Sequence, residues 1–201
     1  SSGCDLGAAS VYLREAIKGD PQNNDLLERA FVAFLADGAM QDAFRAADKL
    51  IQRDPSNGLA QLAVGIRALK QKSYQTARNH LQRGGRGRAA DITATLLSAW
   101  SYLGSGQSTR AIETLERLKG ETSYNLFRDY HAGLILDAAG RKADAEKRLK
   151  SAYDSEKTTL RLVDLWARMQ ARNGDFEAAA ATYGEFDRLL PNHPIVRDGL
   201  A

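Results

Sequence analysis

Three histidines, His80, His131 and His193, are the side chains best suited to ligate a metal or move a proton, and their spacing supports neither role. Each stands in a different stretch of chain with no second ligand three or four residues away, so nothing gathers the donors that a zinc ion needs. A nucleophile is equally hard to place. No serine sits in a Gly-x-Ser-x-Gly elbow, and no glycine-rich loop ends in Gly-Lys-Ser/Thr. Asp144 and Glu146 have arginine and lysine beside them and read as solvated ion pairs on a polar helix face. The residues predict no catalytic group, no metal site and no cofactor, and so a binding protein rather than an enzyme.

The densest charge cluster is Arg83-Gly84-Gly85-Arg86-Gly87-Arg88, with Arg78 and His80 just before it. Clustered arginines can neutralise phosphates, which gives nucleic-acid or polyanion binding through the Arg78–Arg88 stretch as the alternative function. The cluster has no aromatic residues for base stacking, and the reading favoured is a flexible connector. The formal charge of +3 is spread along the chain and does not by itself indicate nucleic acid. No apolar run reaches the roughly 18–20 residues that span a bilayer. The single cysteine, Cys4, excludes an internal disulfide. It stands after small residues, as in a lipoprotein, but lacks a preceding apolar segment. The same stretch also resembles a tag linker, and the favoured reading makes Cys4 an ordinary turn residue. Compartment stays open between cytoplasm and periplasm.

The elements that carry these residues follow from one period. Alanine recurs at Ala9, Ala43, Ala77, Ala111, Ala145 and Ala179, 34 residues apart each time, in a chain with 32 alanines. Four residues after each come Leu13, Ala47, Leu81, Leu115, Leu149 and Tyr183. Five residues before it stand Gly38, Gly106, Gly140 and Gly174, with Lys72 and Cys4 as exceptions. Twelve residues before it a small residue recurs as Gly65, Ala99, Gly133 and Ala167, with Phe31 as the exception, and Pro21, Pro55 and Pro191 close three units. Apolar steps of three and four mark amphipathic helices, and the glycine marks a turn that needs positive φ. The small residue and the alanine are expected to face each other where two helices approach most closely. Phe31 and Ala47 then read as a large-for-small exchange that keeps core volume.

A 34-residue unit with a small residue, a glycine turn, alanine, a large apolar residue and a final proline resembles the tetratricopeptide repeat, as found in bacterial arrays of that family. The tryptophan expected near the start of each first helix is missing. The resemblance implies an all-α, right-handed α-solenoid of antiparallel helix hairpins, about five and a half repeats and eleven helices, forming a single array over 1–201. Its parts are a half repeat at 6–18, full repeats at 24–57, 58–91, 92–125, 126–159 and 160–193, and the start of a truncated or capping helix at 194–201. Neither end reads as a polar cap, so the array is expected to continue, and Val11, Tyr12 and Ile17 are candidates for an exposed flank that could support a dimer.

The resemblance also implies a protein–protein interaction scaffold, with the first helix of each hairpin lining a concave groove. The groove places hold Leu62, Ile66 and Leu69, then Leu96, Trp100 and Leu103, then Phe127, Tyr130, His131 and Leu134, and finally Arg161, Arg168 and Arg172. Glu28, Arg29, Val32, Leu35, Asp137 and Asp164 share that surface. Family members that clamp a C-terminal carboxylate carry lysine and asparagine where this chain has Glu28, Val32, Leu62, Ala63 and Ile66, so that use is not expected. The expected partner is another protein, presenting a peptide or amphipathic helix to an apolar groove with a basic C-terminal end. The arginine-over-lysine, alanine-rich composition suggests a bacterial source.

Overall fold

The computed structural model describes residues 6–84, 87–120 and 122–200, and among them every regular element is helical. They are α1 (Leu6–Gly19), α2 (Asn24–Ala36), α3 (Met40–Arg53), α4 (Gly58–Lys70), α5 (Tyr74–Gly84), α6 (Arg88–Gly104), α7 (Ser108–Leu115), α8 (Thr122–Ala138), α9 (Lys142–Ser155), α10 (Leu160–Arg172), α11 (Phe176–Leu189) and α12 (Pro194–Leu200). The chain divides into two compact units, Ser1–Ser105 and Gly106–Ala201, and the division falls inside the third predicted hairpin. In each unit a helix packs chiefly on its neighbours in sequence, the arrangement of an α-solenoid. Eleven helices were expected with a further start at 194, and that start is α12.

The turns explain the recurrent glycine. Gly38, Gly140 and Gly174 have φ of +72°, +77° and +87°. At Gly38 the amide bonds to the Leu35 carbonyl and the next amide, Ala39, reaches back to Phe34, which is a Schellman closure. The same pair of bonds recurs at Lys72–Ser73, Gly140–Arg141 and Gly174–Asp175. Lys72, an exception to the glycine rule, adopts the left-handed geometry anyway, with φ +60°. For a residue with a Cβ that geometry costs ~1–2 kcal/mol, and the shared closure holds it there. The helix starts are capped by Asn23, Asn57 and Asp175, whose side chains accept from the amides of Leu26, Ala60 and Ala178. Asp54 is extended before Pro55, as the proline ring requires, and α3 ends there.

Ala43, Ala77, Ala111 and Ala145 are fully buried and Ala179 nearly so, while the Ala9 side chain lies outside the described residues. Where the small residue is glycine, at Gly65 and Gly133, it is opposed most closely by the large apolar residue sixteen positions on, rather than by the alanine twelve on. A Cβ added at Gly65 would stand 3.0 Å from the Leu81 side chain, and one at Gly133 would stand 2.5 Å from Leu149. The reason is reach: a leucine side chain extends across the interface to the facing backbone, and an alanine methyl does not. Phe31 and Ala47 occupy the same two places in the first hairpin with the sizes reversed, and both are buried in one apolar cluster.

Two further expectations change. Gly84, expected in a flexible connector, is instead the buried last residue of α5, where a Cβ would stand 3.0 Å from the Leu62 amide nitrogen. Its missing side chain lets α5 cross the start of α4. Gly85 and Arg86 lie outside the described residues, as does Cys4. On α1, Val11 and Tyr12 are 57% and 73% exposed, whereas Ile17 packs partly against the core of unit 1.

The size exchange makes a stability prediction. Phe31→Ala alone should cost about 3–5 kcal/mol, and Ala47→Leu alone about 1–3 kcal/mol. The double variant Phe31→Ala/Ala47→Leu, which restores the pattern of the other hairpins, should recover most of the loss in urea unfolding. Additive losses would mean that the two side chains do not share one space.

Candidate functional site

None of the predicted groove residues belongs to the buried core. Ile66 and Phe127 are 39% and 42% exposed, and Arg161, Arg168 and Arg172 are exposed. Leu62, Leu69, Leu96, Trp100, Leu103, Tyr130, His131 and Leu134 are half-buried. On α4 and α6 of unit 1 they recur at steps of three and four, so each helix keeps a face that its own core leaves partly uncovered. Further residues of that predicted surface are open in α2, where Glu28, Arg29 and Val32 are exposed.

In unit 2 the face contains a cavity of about 230 Å³. Its walls are Leu126, Phe127, Tyr130 and His131 from α8, with Thr159, Arg161 and Leu162 at the start of α10. Tyr130 and His131 meet edge to face with ring centroids 5.1 Å apart. Burial pushes the His131 imidazole below its ordinary pKa, so it is neutral at pH 7.

The three arginines of α10 do not share one fate. Arg168 binds both carboxylate oxygens of Asp164 at 2.9 Å, and Arg172 binds Asp137 on α8 at 2.8 Å. Asp164 also accepts a 2.8 Å hydrogen bond from the Tyr183 hydroxyl. Among the described residues Arg161 makes no ion pair. The basic end expected from sequence therefore reduces to Arg161, because carboxylates one turn away and on the neighbouring helix neutralise the other two.

Arg78, counted from sequence with the basic cluster, is a structural residue. It is 6% exposed and its guanidinium stacks on the Tyr102 ring at 4.3 Å. It donates to the Ser101 carbonyl and to Gln75, at 3.2 and 2.7 Å, and also to the Ser101 and Ser105 hydroxyls. A guanidinium with its donors committed inside unit 1 is not offered to phosphate. Of the others, Arg83 is exposed, and Arg86 and the Arg88 side chain lie outside the described residues.

The histidines stay apart, and among the described residues no group of three potential ligands approaches metal geometry. His80 is linked through Nδ1 to the buried Gln61 at 2.7 Å, and Gln61 in turn donates to the Pro55 carbonyl. Burial, with help from Arg83 and Arg67, lowers the His80 pKa. A half-buried charge network in unit 2, centred on the buried Asp129, is not legible in the sequence. Asp129 accepts from Arg148 at 2.7 Å and from Ser151 at 3.0 Å, Arg128 lies 3.2 Å away, and Arg148 also bonds to Glu116. The period gives no signal for it, since the places equivalent to Asp129 in the other hairpins hold Leu27, Gln61, Thr95 and Val163, and none of these is a carboxylate.

Two measurements follow. Arg78→Ala should cost about 1–3 kcal/mol in urea unfolding by stranding its buried partners, and Arg78→Lys should not restore it, because an ammonium can neither stack nor fork in that way. Tyr183 is pushed up to about 12, first by burial and then by its bond to Asp164. A phenol whose pKa is higher in the folded state stabilises folding while it keeps its proton. That stabilisation should be complete below pH ~10 and lost as the pH rises from there through 12. Absorbance titration should show a late-ionising tyrosine that is lost in Tyr183→Phe, while Tyr153, which burial also pushes up, remains.

A tetratricopeptide-repeat model matches residues 93–121. No curated protein matches the sequence. Among solved structures, PilW, a type IV pilus biogenesis factor, superposes with a TM-score of 0.73 at 15% identity, over 99% of this chain and 92% of its own. A tetratricopeptide repeat protein from Parabacteroides merdae gives 0.65 at 16% identity, over 97% and 76%. YrrB, described as having an unusual peptide-binding site, gives 0.58 at 13% identity, over 92% and 96%. With its Schellman-closed hairpins and its 34-residue alanine ladder, the chain has the helical-hairpin fold of tetratricopeptide-repeat structures, and residues 93–121 match the model of one such repeat.

Proposed function

We propose that this protein is an interaction scaffold whose units each hold a segment of another protein against the open faces of first helices, α4 and α6 in unit 1 and, separately, α8 and α10 in unit 2. The observation that carries this is the set of large apolar and aromatic side chains these helices leave partly uncovered, Ile66 and Phe127 foremost. Such side chains lose favourable free energy by remaining in water, at about 25 cal/mol per Å² of apolar surface, and a partner that covers them recovers it. Contiguous rather than scattered exposure is the mark of a binding surface. The peptide-binding site attributed to YrrB supports this by analogy of fold. The polyanion alternative is weakened by the burial of Arg78.

The test uses Ile66→Glu and Phe127→Glu, one in each unit, both at exposed places where folding should survive. Circular dichroism and melting temperature should match wild type. In affinity capture from a lysate of the source organism, a partner retained by wild type should fall about tenfold or more with at least one variant, the effect of losing an interface anchor. Recovery of the same proteins at the same level by all three would sink the proposal.

A further inference from the structure

We propose that the cavity between α8 and the start of α10 is an anchor site for one bulky apolar side chain of a partner polypeptide, and that Arg161 selects partners with aspartate or glutamate next to that anchor. The inference rests on the scaffold role proposed above and names the chemistry of what one unit takes.

Size comes first. A cavity of about 230 Å³ exceeds the ~150 Å³ that accepts a benzene ring. It falls below the ~300–1,000 Å³ of sites that enclose a drug-sized molecule. One leucine- or phenylalanine-sized group fits that interval. The walls suit it: Leu126, Leu162 and the rings of Phe127 and Tyr130 are apolar, and His131 is held neutral by burial.

Charge completes the case. Among the lining residues Arg161 carries the one full charge at neutral pH. Asp164, three residues along the helix, could have neutralised it, but that carboxylate is held on both oxygens by Arg168 and also by the Tyr183 hydroxyl. Asp137, the acidic residue facing α10 from α8, is held by Arg172. A guanidinium without an ion pair beside an apolar wall is complementary to a carboxylate, which it can grip through two parallel hydrogen bonds. It repels a lysine or arginine in the same place, so it discriminates as well as attracts. With one cation rather than several converging donors, the site fits an acidic side chain within a segment and not a chain terminus.

The experiment uses the full chain, ¹⁵N-labelled, titrated at low salt with N-acetylated, C-amidated peptides in which Gly-Ser flanks surround Leu-Glu, Leu-Gln, Leu-Lys or Ala-Glu. Leu-Glu should shift resonances of α8 and α10. Leu-Gln and Ala-Glu should each bind about fivefold more weakly, the scale of one exposed charge contact or one small anchor deletion. Leu-Lys should bind weakest. In Arg161→Gln the preference for Glu over Gln should vanish while that for Leu over Ala remains, and Phe127→Ala should do the reverse. A Glu preference that survives Arg161→Gln overturns the proposal. So does the absence of any peptide-induced shift, or tightest binding by a Leu-ending peptide with a free carboxylate. If the peptides fail while Ile66→Glu still abolishes partner capture, the anchor site is wrong and the scaffold role stands. Failure of both removes both.

Discussion

Everything in this chain depends on how closely two helices of a hairpin can approach. In two hairpins the approach is set at one facing pair, a glycine on the first helix (Gly65, Gly133) and a leucine sixteen positions later on the second (Leu81, Leu149). At Gly133 and Leu149 there is no room for even one added carbon. The buried alanine of the ladder keeps the rest of the interface thin, and the Schellman turn delivers the second helix at the required angle. The constraint is on the sum of the two side chains and not on which helix carries the bulk. Phe31 and Ala47 meet it with the sizes reversed, as Gly65 and Leu81 do in the usual order.

Where that constraint acts twice, glycine appears twice. Gly84 ends α5 against the backbone of α4, and Gly104 of α6 receives the Tyr74 ring so closely that a Cβ would fall 2.3 Å from it. Close crossing brings polar groups inside as well, and they are satisfied locally. Arg78 fills the resulting space between α5 and α6 with both its plane and its donors. Removing an arginine of this kind leaves buried acceptors unpaired, so its role is in folding even though its charge suggests a ligand.

The period, the turns and the large–small alternation were legible in the sequence because each is a repeated local demand on residue type. Lys72 is an exception to the glycine pattern placed at a turn by register alone, and the structure closes that turn on the Leu69 and Ala68 carbonyls as in the other hairpins. The fate of the charged residues was not legible. Periodicity sorts positions into apolar and polar, and Arg78, Arg148 and Arg161 all fall in the polar class. One is buried against a ring, one sits in a network with Asp129, and one has no ion pair among the described residues. The α5–α6 boundary was missed for a related reason. The glycines and arginines around 83–88 look like linker composition, and only the packing against α4 shows that Gly84 belongs to a helix.

The same competition decides what the open faces can recognise. α10 carries Arg161, Arg168 and Arg172 on one side, and a sum of charges would call that side basic. Pairing changes the sum. Asp164 and Asp137 cancel two of the three cations, and the pairs they form are directional, so the field left over is that of a single guanidinium in the lining of an otherwise largely apolar cavity. Exposed ion pairs contribute little to stability, ~0–1 kcal/mol each. Their larger consequence here is to remove two arginines from the pool available to a ligand. A row of three free cations would bind many anions with little distinction between them. One cation fixed beside one cavity can require that an acidic group and an apolar group arrive together.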